Sequence, residues 1–268
     1  MISPLAHIDP KARLGNNVRV DPFAVIHPNV EIGDETHIMS NVVVFENSTI
    51  GRNCKIFPGA VIGAIPQDLK FAGEKTTCEI GDNTTIREFV TINRGTKDKW
   101  KTVVGSNCLL MAYAHVAHDC SVGNSVILAN GVQLAGHVEI FDHAILGGLA
   151  GAHQFTRIGA HCYVAGHTVI RKDVPPYVKA AREPMSFVGV NLVGLQRSQF
   201  AKETIEEIAS IYHTLFIEKN TTSAAIAKIE ESFADTKIRQ NILSFVKGSK
   251  IGIIKRPSKA NENEDISF

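Results

Sequence analysis

No stretch of the sequence reaches the roughly 18–20 consecutive apolar residues that a membrane-spanning helix needs. Met1-Ile-Ser-Pro lacks the charged and apolar regions of a secretory leader, so the chain is expected to be cytoplasmic, with no stable membrane insertion. Charge of either sign is not in excess: 28 Lys+Arg against 27 Asp+Glu leave a net charge of +1. That field is too weak to recruit nucleic acid or an anionic membrane by itself. Cysteine is scarce, five in an odd set with no Cys-x-x-Cys spacing, which speaks against a zinc finger or a disulfide framework. Cys54, Cys78, Cys108, Cys120 and Cys162 are expected to be buried, reduced thiols. At 268 residues the chain can bury a full core and hold one large domain or two.

What is present is a repeat. Taking every sixth residue from Ile2 to Ile170 gives 29 positions, of which 25 carry Ile, Leu or Val. The exceptions are Asp68, Glu74, Asp98 and Ala152. Glycine often follows the aliphatic residue (Gly15, Gly33, Gly51, Gly81, Gly105), which predicts a corner needing unusual backbone angles. Asparagine recurs two positions further on (Asn17, Asn29, Asn41, Asn47, Asn53, Asn83, Asn107), the non-glycine residue that best tolerates left-handed angles. The position four after the aliphatic residue is small, and all five cysteines fall in that class. One large and one small apolar residue per six predict a hexapeptide-repeat parallel β-helix, three hexads to a triangular coil. Residues 18 apart then stack one strand spacing of about 4.8 Å from each other. The resemblance to hexapeptide-repeat proteins implies a left-handed coil.

The predicted fold is therefore mainly β: a left-handed parallel β-helix over 1–175 with a C-terminal α-helical domain. Two polar excursions, near 67–79 and 95–103, break the aliphatic phase without shifting it. Each is either a tolerated surface loop or a functional one on a rigid solenoid. Val174-Pro-Pro-Tyr and Arg182-Glu-Pro predict a linker, and the period turns helical from about 190, so 176–256 is expected to hold linker and helices. Such helices could cap the open end of the solenoid. The tail 257–268 is polar and expected to be disordered.

Histidine concentrates where the repeat is most regular. His115, His118, His137, His143, His153, His161 and His167 are seven of the eleven in the chain. The period places His118, Gly136 and Gln154 in one column, with Asp119 and His137 in the adjoining one. A base beneath an exposed backbone N–H, flanked by polar groups, is the outline of an acyl-transfer site. Two other classes compete. A purely structural solenoid explains the repeat but neither the histidines nor the excursions. A zinc hydrase resembling the γ-type carbonic anhydrases would use His115, His118 and His137, a set that spacing alone does not exclude.

Particular motifs carry a resemblance over nearly the whole chain: Gln67-Asp-Leu-Lys-Phe-Ala-Gly-Glu, Ala114-His-Val-Ala-His-Asp-Cys, Leu134-Ala-Gly-His, Ala152-His-Gln-Phe, Ile158-Gly-Ala-His, Asp173-Val-Pro-Pro-Tyr and Gly189-Val-Asn. In these the sequence resembles the UDP-N-acetylglucosamine 3-O-acyltransferases, which begin lipid A assembly in Gram-negative bacteria. The resemblance implies a homotrimer with active sites between neighbouring prisms and no cofactor. The donor it implies is a (3R)-3-hydroxyacyl chain on the phosphopantetheine of acyl carrier protein. His118 matches the general base that deprotonates the sugar 3-hydroxyl, Asp119 its orienting partner, and the Gly136 N–H the oxyanion donor. Asp68 and Lys70 match residues near the glucosamine and donor. His115, His137, His153 and Gln154 match the cleft lining, Gly166 the floor of the acyl groove, and Asn191 and Arg197 nucleotide and phosphate contacts.

The resemblance also implies an acidic carrier protein as partner, for which Arg171, Lys172, Lys179, Arg182, Arg197 and Lys202 offer a complementary surface. No metal is expected. The chain departs from the family pattern at Val193, where members carry an acidic residue, and at Ser198, where they carry a second arginine. A related N-acyltransferase of UDP-glucosamine carries an extra N-terminal domain, whereas this chain enters its hexads at Ile2.

Overall fold

The computed structural model describes residues 1–218 and 221–256. Two-residue strands recur every six positions, from His7–Ile8 and Arg13–Leu14 through to Val169–Ile170. Among the described residues, 27 strands form three sheets of 9, 8 and 10. Each coil gives one strand to each sheet, and each pairs in parallel with the strand 18 residues on: His7↔Val25, Arg13↔Glu31, Arg19↔His37. The aliphatic position of each hexad points into the prism, where Ile26, Ile38, Ile56, Leu110, Leu128, Leu134 and Leu146 are fully buried. Truncating one of them, as in Leu128→Ala, would cost about 2–5 kcal/mol, because rigid coils above and below cannot collapse into the space. The small position is interior too: all five cysteines are buried and reduced.

The corners divide labour between two residue types. Asn17, Asn29, Asn41, Asn47, Asn53, Asn83 and Asn107 all take left-handed angles, φ 53–61°. The glycines that follow the aliphatic position mostly do not, which corrects the reading of them as conformational. At Gly33 a Cβ would lie 2.7 Å from the Gly51 carbonyl carbon, and at Gly81 2.6 Å from the Ser106 nitrogen. Those glycines are present because successive coils touch there.

Both excursions are shorter than 67–79 and 95–103. The first leaves after Val61–Ala64 and rejoins at Thr77–Ile80, and the second lies between Thr91–Asn93 and Lys101–Val104. Thr77, Cys78 and Glu79 pair with Lys101, Thr102 and Val103, so residues assigned to loops continue the sheet. Val61↔Thr91 and Thr91↔His115 are pairs in one column, 30 and 24 positions apart instead of 18. The insertions are whole hexads, which is why the phase survives them.

The expected linker is also sheet. Val178–Ala181 pairs in parallel with Tyr163–Val164 and antiparallel with Ser186–Val190, closing one sheet with a hairpin. Among the described residues four helices follow: α1 (Leu192–Arg197), α2 (Lys202–Tyr212), α3 (Thr222–Ser232) and α4 (Lys237–Lys247), with a π-helical turn at His213–Ile217. They pack on the hairpin end of the prism. Phe187 stacks on Phe216 at 4.5 Å, and the buried Tyr212 hydroxyl donates to the Pro176 carbonyl at 2.7 Å. Arg157 bridges prism and helices, with its guanidinium 4.3 Å from the Phe245 ring centroid. The tail expectation for 257–268 lies outside the described residues.

Candidate active site

His115–Val116 lies in the nine-stranded sheet, and the chain turns the corner after it at His118 and Asp119. Asp119 adopts φ 60°, and its own N–H donates to the Thr102 hydroxyl at 2.8 Å. One coil on, the His137 N–H donates to the His118 carbonyl. Gly136 therefore lies over the His118 ring, so close that a Cβ there would be 2.6 Å from Cε1 and 2.7 Å from Nε2. The 18-residue period places that column, and Gly136 is the residue type the approach requires. Among the described residues, none accepts the Gly136 N–H.

The side chain of His118 is 9% exposed, and its Nδ1 lies 2.8 Å from Oδ2 of the fully buried Asp119. With Nδ1–H donating to the carboxylate, the ring's lone pair resides on Nε2. Asp119 accepts more than that one bond: Thr96 donates through its hydroxyl to Oδ2 at 2.6 Å and through its N–H to Oδ1 at 2.9 Å, and the Lys99 N–H reaches Oδ1 at 3.2 Å. Burial pushes the Asp119 carboxyl up, but these bonds from Thr96 and His118 outweigh it and hold the group below its ordinary range. His137 stands edge-on to His118 at 5.2 Å, with Nε2 3.7 Å from Asp119 Oδ2 and Nδ1 3.2 Å from Asp98. Desolvation lowers its pKa, as it does for His115, whose Nδ1 is 2.7 Å from the Thr91 hydroxyl.

A groove of about 500 Å³ opens over this column, lined by His115, His118, Gly136, His153 and the edge of the sheet. Its walls are mostly apolar (Ala117, Leu134, Ala135, Ala152, Val169). A second hollow of about 280 Å³ lies on the other side of the corner, between the excursions, where Asp68, Lys70, Thr96, His137 and Gln154 meet. Nine of the twelve site residues read from the sequence thus meet around one corner. The three others do not. Gly166 is eight hexads beyond His118, not a whole number of coils, so it stacks over Gly148 at another corner, in a hollow with Tyr113, Leu149 and His167. Asn191 caps α1 through the Gly194 N–H and donates to the His161 carbonyl at 2.9 Å, which occupies its amide. Arg197 is exposed at the end of α1, where Ser198 is the C-cap residue and Val193 is exposed on the first turn.

Two residues around Asp119 escaped the sequence reading. Thr102 occupies the small interior position of its hexad, where a hydroxyl among alanines and cysteines was a visible signal. Thr96 falls in the same phase, four after Ile92, but in an excursion whose next aliphatic position is Asp98, so the sequence does not show what it bonds to.

The arrangement combines a base with one free nitrogen, a buried anion behind it, and an unengaged N–H above. It can take a proton from a hydroxyl and stabilise an oxyanion beside it.

A family described as "Udp N-acetylglucosamine O-acyltransferase; Domain 2" matches residues 173–254, and the bacterial transferase hexapeptide family matches 11–46 and 101–136. An acyl-[acyl-carrier-protein]--UDP-N-acetylglucosamine O-acyltransferase of Thiobacillus denitrificans is 47% identical over 95% of this chain and 99% of its own. A protein of the same name from Janthinobacterium sp. is 46% identical over the same shares. The solved UDP-N-acetylglucosamine acyltransferase of Bacteroides fragilis superposes with a TM-score of 0.93 at 46% identity, covering 95% of this chain and all of that one.

Proposed function

The chain belongs to the UDP-N-acetylglucosamine O-acyltransferase family, and from that membership we propose that it transfers a (3R)-3-hydroxyacyl chain from acyl carrier protein to the 3-hydroxyl of UDP-N-acetylglucosamine, the first step of lipid A biosynthesis. The observation that carries the mechanism is the His118 imidazole, tied at Nδ1 to Asp119 and facing Gly136 with its other nitrogen. Nε2 takes the proton from the sugar hydroxyl as that oxygen attacks the thioester carbonyl. Asp119 stabilises the imidazolium that forms, and the Gly136 N–H receives the developing oxyanion. The proton then returns to the departing thiolate of the phosphopantetheine arm. The enzyme needs no cofactor and no metal for this.

The apolar groove suits a hydrocarbon chain, and the polar hollow with Asp68, Lys70, His137 and Gln154 suits a sugar. His115 and His153 line the groove between them. One open face gives little depth, so the working unit is a homotrimer of left-handed prisms in which a neighbour supplies the second wall. That assembly would bring the Gly166 corner of one copy to the groove of the next as its floor, and would leave the exposed Arg197, but not the occupied Asn191 amide, free to meet a nucleotide phosphate. Among the described residues no helix is long and apolar enough to cross a membrane, and a cytoplasmic enzyme meeting a soluble carrier fits that. Within the basic surface, Arg171 is paired with Glu183 at 2.6 Å, so carrier binding there exchanges one acidic partner for another.

A metal reading has one observation in its favour: ligand atoms of His118, Asp119 and His137 lie within 4.8 Å of one another. His115 is not among them, which separates this set from the hydrase trio. The test is to incubate the protein with UDP-N-acetylglucosamine and a series of hydroxyacyl carrier proteins and identify products by mass spectrometry. UDP-glucosamine as acceptor checks the N-acyl alternative. A 3-O-acyl product lost in folded His118→Ala by about 10²–10⁴-fold supports the proposal. Wild-type turnover in that variant overturns it.

A further inference from the structure

The second excursion walls the polar hollow and also encloses the carboxylate of Asp119. Its residues between Asn93 and Lys101 are a detour of one hexad's worth of extra chain in an otherwise unbroken coil. They fold back over the corner and present three donors to one carboxylate. The Thr96 hydroxyl, the Thr96 N–H and the Lys99 N–H all point at Asp119. Thr96 itself is 8% exposed, and its hydroxyl also accepts the Asp98 N–H at 3.2 Å, which fixes the direction of its own hydrogen toward Asp119 Oδ2. That same oxygen receives His118 Nδ1. We infer that Thr96 is a positioning residue for the acyl transfer: its hydroxyl pins Asp119 Oδ2 and thereby sets both the orientation and the proton affinity of His118.

The physical case has two parts. A buried carboxylate with a single partner can rotate about its own Cβ–Cγ bond, and a base aimed by it would turn with it. Thr96 and Lys99 occupy Oδ1 and Thr96 also occupies Oδ2, so the carboxylate plane is fixed before His118 bonds to it. Second, each donor spreads the carboxylate's charge and lowers its pull on a proton. The groups facing Asp119 are His118, His137 at 3.7 Å, the buried Cys120, the Thr102 hydroxyl and the excursion itself, and His115 faces His118; Asp98 acts through His137, and the Lys99 ammonium is turned away to Glu139 at 2.9 Å. Thr96 is thus the one side chain of the excursion, among the described residues, that bonds to the carboxylate directly. Thr96 also lines the polar hollow, but its hydroxyl hydrogen is directed to Asp119 and not into that space.

This inference rests on His118 being the general base, and its test separates the two. In the intact enzyme, Thr96→Val keeps the shape and the N–H bond but removes the hydroxyl. It is expected to lower kcat by about ten- to a hundred-fold, the weight of a hydrogen bond to a charged group, with KM for the sugar nucleotide nearly unchanged. Freed of one donor, Asp119 holds the His118 proton more tightly, so the acid limb of the kcat/KM profile moves to higher pH. Thr96→Ser should restore both readings, and Thr96→Ala supplies them if the valine variant does not fold. On an Asp119→Asn background the Thr96 substitution should cost almost nothing more, because both act through one carboxylate. Full additivity with Asp119→Asn, or a fall in kcat with an unmoved acid limb, overturns the role of Thr96 while leaving His118 as the base. Loss of the His118→Ala effect would instead remove the premise.

Discussion

Gly136→Ala isolates the close approach on which the candidate site is built. The added methyl would lie 2.6 Å from His118 Cε1 and 2.7 Å from Nε2, where carbon and nitrogen normally stay about 3.5 Å apart. Gly136 does not use left-handed angles, so alanine meets no backbone objection; the collision is the whole effect. The ring must retreat by roughly 0.8 Å, the difference between those separations. It cannot do so freely, because Nδ1 is held at 2.8 Å by Asp119, which is itself held by Thr96 and Lys99. Overpacking of this kind costs about 1–3 kcal/mol, or a melting shift on the order of 2–10 °C for a chain of this size. A displacement near 1 Å at the reacting atoms costs about 10²-fold in turnover. Steady-state kinetics with a hydroxyacyl carrier protein and a thermal melt measure the two effects separately. His118→Ala removes the colliding ring, so the melting penalty of Gly136→Ala should vanish on that background. If it persists there, or if Gly136→Ala turns over at the wild-type rate, the stacking argument is wrong.

Three further outcomes are expected. His161, stacked on His143 at 4.5 Å, is pushed down to about 4 by desolvation and then by that neighbour, so the folded state favours the neutral ring. Its stabilising share is therefore complete above about pH 6.5 and lost as pH falls toward 4, roughly 1–2 kcal/mol after allowing for partial solvent contact; His161→Phe should flatten that part of the pH–stability curve measured by urea unfolding, and an unchanged slope would refute it. Gly166→Met should favour donors two to four carbons shorter by about ten- to two-hundred-fold, at about 0.8 kcal/mol per buried methylene. A Cβ there also meets the Gly148 carbonyl oxygen at 2.9 Å, so the test is the ratio between long and short donors, which does not depend on the folded fraction. Exhaustive chelation should leave acyl transfer unchanged; activity that fails on chelation and returns with zinc would favour the metal reading.

The prism was legible because its determinants are periodic. An aliphatic residue every six positions and asparagine at the corners specify inward strands and left-handed turns, and the asparagines took those angles. The stacking of Gly136 on His118 followed from the same period of 18. What the sequence concealed is whatever the period does not govern. The glycines after the aliphatic residue carried the right signal with the wrong cause, since contact between coils and torsional demand both select glycine. The 178–190 hairpin looked like linker because Val178–Ala181 extends the sheet just where hexad spacing stops. Gly166 was placed by resemblance, and counting hexads from His118 would have shown it at another corner. Thr96 occupies a small position like Thr102, but its partner is 23 residues away, a separation that matches no multiple of the hexad.

The location of the chemistry follows from the same periodicity. Along one corner of the prism the left-handed residue is Asp119, then His137, then Phe155, at φ 60°, 63° and 68°. Non-glycine residues in that conformation cost roughly 1–2 kcal/mol each, least for asparagine and aspartate. Asparagine serves at seven other corners, and residues such as Phe23, Phe89, Tyr113 and Leu149 serve at more, so the coil tolerates side chains other than asparagine in this conformation. Phe155 stacks on His137 at 4.6 Å, and His137 faces the dyad, so the three form a connected column and not separate exceptions. A β-strand in this coil can offer only one outward side chain per hexad, and the interior is full. The corner is where a backbone held by ladders on both sides can turn consecutive residues outward, as it does with His118 and Asp119. An excursion inserted one coil below then reaches the same corner and surrounds the carboxylate with donors. Rigidity of the coil makes such backbone angles bearable at every corner; what sets this one apart is that its left-handed residues include the carboxylate and an imidazole of the site.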